Sequence, residues 1–310
     1  MEVMPTLTQR IEEFLRYLEA ERGASPHTRA AYRRDLAGFA EHVEALRPGA
    51  GPDDVDVPMV RGYLGDLYGT VTASTISRKL SALRSFYRFL GRRGLASTDP
   101  VALLRSPRLK PPLPRFLPVD EATRLMELPR DDDARELRDR ALLEVLYGAG
   151  LRVSELAGLS LDSLDLEAGL VRVTGKGRKE RVVPLGRKAV AALREYLPRR
   201  GELVPEDGGI VHPEAVFLSS RGRRISVRRV QQVVDEQARR AGVRGRTSPH
   251  DLRHSCATHL LDSGADLRSI QELLGHASLS TTQRYTHVTI DTLMAVYENA
   301  HPLERRKKDR

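Results

Sequence analysis

The apolar positions of this chain fall first into helical stripes. Ser25-Pro26 sets an N-cap residue ahead of a proline at the first helical position, and Tyr32, Leu36, Phe39 and Val43 follow at spacings of three and four. A second stripe, Ile76, Leu80, Leu83, Tyr87 and Leu90, predicts an amphipathic helix over about 74–90. Its other faces carry Arg78, Lys79, Arg84 and Arg88, and Arg92 and Arg93 continue the run. Two readings fit such a face: solvated surface, or a track along a phosphate backbone, where Arg and Lys position a protein without reading base sequence. Residues 106–118, SPRLKPPLPRFLP, hold five prolines, which remove backbone donors and disfavour helix in the residue before each. This basic, Pro-rich stretch reads as a linker between a helical domain over 1–105 and a second domain over 119–310.

In the second domain the period changes once. VRVTGKGRKERVVPL sets Val171 and Val173 before a turn and Val182 and Val183 after it, and Gly175 and Gly177 permit a sharp bend. The rest of the domain is expected to be helical. Thr247-Ser248-Pro249-His250-Asp251 reads as a helix start, with Ser248 as N-cap, Pro249 at N1 and Asp251 at N3. Ser280 and Gln283 form a second capping-box pattern, and Leu293, Val296 and Tyr297 follow at helical spacing. The expected fold is therefore mainly α, with an N-terminal helical domain and a C-terminal mixed, mostly helical domain holding a small antiparallel sheet.

Charge narrows the partner. Lys and Arg number 51 against 42 Asp and Glu, a net charge of +9 over 310 residues, which points to an acidic polymer, most simply nucleic acid; a soluble protein that happens to be basic is the other reading. The single cysteine, Cys256, lies among Leu252 and Leu260 at helical spacing, as a buried reduced thiol would, and rules out an internal disulfide. The first residues mix acidic side chains into their apolar pattern, unlike a signal peptide, and no run is apolar enough to span a bilayer. A cytoplasmic setting is expected, with no membrane partner.

The chemistry-bearing residues lie in the second half. Arg152 follows Gly148 and Gly150 at a break between helices, and Glu155, three positions on, can pair with it or orient it. Lys176 stands between glycines at the hairpin tip, where a long cationic arm can enter a groove and lose a proton when crowded by other cations. His250 and Arg253 are three apart on one helix start. A metal site built from His250, His254, Cys256 and His259 is the rival reading; the intervening arginine would repel a cation and no HExxH glutamate is present. His254 and His259 read instead as structural. His276 follows Gly275, and Tyr285 lies nine residues further, in the second turn of the helix that Ser280 opens.

The ordered set Arg152, Lys176, His250, Arg253, His276 and Tyr285, with the surrounding TSPHDLRHSCATHLLDSGADLRSIQELLGHASLSTTQRYTHV, resembles the tyrosine recombinases, and its wording is similar to the Xer branch. The resemblance implies a SAM-like core-DNA-binding domain over 1–105 and a catalytic domain over 119–310 that ends in an exchange helix and basic tail. It implies site-specific DNA recombination through a 3′-phosphotyrosine formed by Tyr285, at a dif-like site. Arg152 and Arg253 would hold the non-bridging oxygens, Lys176 would protonate the leaving 5′ oxygen, and His250 and His276 would serve the tyrosine proton and the phosphate. No cofactor is expected, because the phosphotyrosine stores the bond energy and the cations do the electrostatic work of a metal. The partners implied are double-stranded DNA, a tetramer on two recombination sites, a second Xer recombinase and a DNA translocase as activator. Other readings are a phage or mobile-element integrase of the same family, a type IB topoisomerase, and a non-catalytic architectural DNA-binding protein. The intact catalytic set argues against the last.

Overall fold

The computed structural model describes residues 5–107, 116–128, 132–175, 180–204, 209–266 and 270. Its contacts divide the chain into two units, residues 1–112 and 113–310. The central residues of the expected linker, 108–115, lie outside the described residues, as do Lys176 and everything from 271 onward.

The first unit contains four α-helices among its described residues: α1 (Leu7–Ala20), α2 (Pro26–Leu46), α3 (Val57–Leu67) and α4 (Ala73–Arg93). Each begins on a side chain that accepts from an otherwise unpaired backbone N–H: Thr6, Ser25, Asp56 and Thr72. Helix α4 stops at Gly94, whose φ of 64° is left-handed and suits glycine. The stripe at Ile76, Leu80, Leu83, Tyr87 and Leu90 is buried throughout, and its last four members share a core with Leu36, Phe39 and Phe14 from the other helices. Phe14 and Phe86 pack edge to face at 5.7 Å, a preferred aromatic arrangement.

The second unit opens with α5 (Val119–Met126), α6 (Ala134–Gly148) and the short α7 (Val153–Ala157). Strands β1 (Leu164–Asp165), β2 (Leu170–Thr174) and β3 (Glu180–Pro184) form one antiparallel sheet in chain order. Three longer helices follow: α8 (Arg187–Arg199), α9 (Val227–Arg240) and α10 (Pro249–Asp262). Helix α6 is central, with Leu142, Leu143, Val145, Leu146 and Tyr147 all buried, so apolar contact on several sides holds it. In the β2–β3 pair Val171 opposes Val183, Arg172 opposes Val182 and Val173 opposes Arg181. Side chains alternate faces along a strand, so this register sends Val171, Val173 and Val183 into the core. Arg181 is carried to the same inward face.

Candidate active site

Three chain segments bring the site of the second unit together: the turn from α6 into α7, strand β3, and the first turns of α10. The turn depends on Gly150, whose φ of 55° lies in the left-handed region. Arg152 then takes the N-cap position of α7, and Glu155 is three residues on. The Glu155 carboxylate is almost sealed from solvent, with 3% of its side chain exposed. It accepts from the Arg152 backbone N–H at 2.8 Å and from Arg152 Nη1 at 2.9 Å. It also accepts from Arg181 Nη1 at 2.8 Å and Nη2 at 3.0 Å, a bidentate contact reaching across from β3. Burial pushes this carboxyl up, but the bonds from Arg181 and Arg152 outweigh it and hold the group at about 2.

Helix α10 starts as its sequence predicts. Ser248 Oγ accepts from the Asp251 N–H, Asp251 Oδ2 accepts from the Ser248 N–H at 2.8 Å, and Pro249 fills the first position. His250 is exposed in the first turn. Arg253, three residues on, is buried: it is 8% exposed, and its Nη1 donates to the Gly150 carbonyl. Burial brings the Arg253 pKa down to about 10; Arg152 and Arg181 act in the same direction and Glu155 opposes them. Arg253 still carries its charge at neutral pH, held in a place that disfavours it. An arriving anion would relieve that electrostatic stress, which is what a phosphate site requires.

The structure thus brings Arg152 and Arg253 together on Gly150 and Glu155, with His250 exposed at the start of the helix that carries Arg253. Lys176, His276 and Tyr285 lie outside the described residues. Arg181 is part of the cluster that sequence reasoning missed. The available signal was alternation: Arg181 is two residues before Val183, so a strand that buries the valine also turns the arginine inward. Behind the site, His259 is buried with Nδ1 2.7 Å from Tyr147 Oη, and His254 packs edge-on to Phe116 at 6.3 Å. Cys256 is buried, and the loss of hydration pushes its thiol up to about 12.

In the first unit the four basic residues of α4 separate into different environments. Arg78 pairs with the buried Asp35, and Lys79 donates to Tyr63 Oη at 3.0 Å with Asp35 at 3.8 Å. Arg84 is turned inward, donating to Ser106 Oγ at 2.9 Å and to the Leu104 carbonyl, so it holds the chain that follows the helix. Arg88 is exposed and makes no ion pair among the described residues. Among those residues no helix is long and apolar enough to cross a membrane.

Comparison with known proteins gives this geometry a family. Residues 115–291 match the phage integrase family, and residues 11–94 match the N-terminal SAM-like domain of phage integrases. The chain is 50% identical over 303 residues to the tyrosine recombinase XerC of Pelobacter propionicus, covering 97% of this chain and 98% of that one. It is 45% identical to XerC of Myxococcus xanthus, covering 96% and 99%. A crystal structure of the XerH site-specific recombinase, bound to a palindromic difH substrate after cleavage, shares the fold with a TM-score of 0.66 at 21% identity, covering 98% of this chain and 84% of that one. With two family domains in order and Xer relatives matched along nearly their whole length, the chain belongs to the phage integrase family, as a tyrosine recombinase of the Xer type.

Proposed function

We propose that this protein cuts and rejoins double-stranded DNA at a dif-like site, resolving chromosome or plasmid dimers through a 3′-phosphotyrosine on Tyr285. The observation that carries the chemistry is the arginine cluster, in which Arg152 and Arg181 share one buried carboxylate and the buried Arg253 lies within their electrostatic reach. Arg152 and Arg253 bind the non-bridging oxygens and stabilise the charge that builds on them in the transition state. Tyr285 Oη forms a bond to phosphorus as the bond from phosphorus to the 5′ oxygen breaks. Lys176 delivers a proton to that oxygen, His250 takes the tyrosine proton or hydrogen-bonds the phosphate, and His276 adds a donor. A 5′-hydroxyl from the exchanging strand then attacks the phosphotyrosine and frees Tyr285. Residues 1–105 hold the DNA core from one side, with α4 and the exposed Arg88 on the backbone, and the linker over 106–118 joins them to the catalytic domain over 119–310.

Four protomers on two sites, a second Xer recombinase and an activating DNA translocase complete this reading, in the cytoplasm. It is supported by the XerC name of relatives at 45–50% identity and by the difH substrate in the XerH crystal structure. The test uses nicked suicide DNA carrying a dif-like site, with EDTA present, and compares wild type with Tyr285→Phe. A covalent protein–DNA band from wild type alone is expected. If both proteins bind DNA and neither gives that band after a Xer partner is added, the protein is architectural and this proposal fails. Loss of the band on chelation would likewise refute the metal-free route.

A further inference from the structure

We propose that Arg181 is a positioning residue for strand cleavage, neutralising Glu155 so that the carboxylate can aim Arg152 without cancelling its charge toward the phosphate. The inference rests on the recombinase reading above and deepens it. A carboxylate that orients an arginine by a one-to-one ion pair also makes that arginine nearly neutral to an approaching anion. Here both carboxylate oxygens are shared. Oε1 takes Nη1 of both arginines, at 2.9 Å from Arg152 and 2.8 Å from Arg181. Oε2 takes the Arg152 backbone N–H at 2.8 Å and Arg181 Nη2 at 3.0 Å. Among the described residues the Glu155 charge is thus divided between two guanidiniums instead of being matched to Arg152 alone.

Exposure divides the roles of the two arginines. The Arg152 side chain is 42% exposed and opens toward solvent, whereas Arg181 is 15% exposed on the inward face of β3. Arg181 directs both of its Nη atoms at Glu155, and its Nε is buried without an acceptor among the described residues. Its side chain therefore serves the carboxylate and does not reach for substrate. The fork geometry also explains why this position is arginine, because a lysine ammonium supplies the charge without the paired parallel bonds.

The test measures DNA affinity and the single-turnover rate of covalent complex formation on nicked suicide DNA, for wild type, Arg181→Gln, Arg181→Lys and the double variant Arg181→Gln with Glu155→Gln. Arg181→Gln should bind DNA as wild type does and form covalent complex about 10- to 100-fold more slowly, by analogy with the loss when a partner that orients a metal ligand is removed. Arg181→Lys should recover part of that rate. The double variant, which restores the wild-type net charge of the cluster, should cleave faster than Arg181→Gln alone. Circular dichroism identifies a variant that fails to fold, in which case Arg181→Lys alone decides by its rate at unchanged affinity. A wild-type rate in Arg181→Gln, a double variant slower than the single, or affinity and cleavage falling together would overturn the proposal. Absence of covalent complex from wild type itself would instead refute the recombinase reading and take this inference with it.

Discussion

Replacing Glu155 with glutamine keeps the shape of the side chain and removes one buried charge from the centre of the arginine cluster. Its energetic weight can be approached from two directions. The carboxyl is held at about 2 against an ordinary 4.5, which corresponds to about 3 kcal/mol of stabilisation of the folded state. Breaking a buried ion pair by removing one partner typically destabilises by about 3–5 kcal/mol, because the other charge is left uncompensated. Both give about 3 kcal/mol, which for a unit of this size lowers the melting temperature by about 6–12 °C. The chain has no tryptophan, so far-UV circular dichroism follows unfolding, and hydrogen exchange of α7 amides reports the loss locally. The pH dependence has a definite sign. A depressed carboxyl contributes fully above its unfolded pKa and loses its contribution as pH falls toward the folded one, so the gap between wild type and Glu155→Gln should close between about pH 4.5 and pH 2. A fall of less than about 2 °C at neutral pH, or a gap that does not narrow on acidification, would refute the counter-charge role of Glu155.

Other substitutions separate structural from DNA-facing residues. Arg88→Ala should lower the dependence of DNA binding on log salt by about one counterion while leaving unfolding unchanged. Arg84→Ala should do the reverse: it loses the bonds to Ser106 and the Leu104 carbonyl and destabilises the first unit by about 1–3 kcal/mol in urea denaturation. Gly150→Ala forces a Cβ into a left-handed backbone, costing about 1–2 kcal/mol, and shifts the carbonyl that Arg253 binds; its cleavage rate should fall more than its DNA affinity. Cys256, 1% exposed with its thiol raised by burial, should resist maleimide in the native protein and react promptly in denaturant; fast native labelling would contradict the packing around α10.

Local rules made much of this molecule legible before any coordinates. The α4 stripe, the Ser25 and Ser248 caps and the β2–β3 hairpin each follow from spacing within one segment, because a helix or strand period converts sequence separation directly into a shared face. The chemistry of Arg152 and Arg253 was likewise visible as residue types in order. Charge on a helix face was the less informative signal. Arg78, Lys79, Arg84 and Arg88 look equivalent in the sequence, yet Asp35 and Tyr63 hold the first two and the chain at 104–106 holds the third. Those partners lie far along the chain, and no local pattern selects them.

By itself, then, the amino-acid sequence determined the helical class and the β2–β3 hairpin, which are properties of neighbours in the chain, and offered a set of cations suited to a phosphate as residue types in order. Only the tertiary structure decided how those cations are held. Glu155 on α7 meets Arg181 on β3, and Arg253 on α10 meets the Gly150 carbonyl, across separations of 26 and 103 residues. Such pairings exist because a buried charge demands a counter-charge or a hydrogen-bond acceptor, and which one reaches it is settled by how the elements pack.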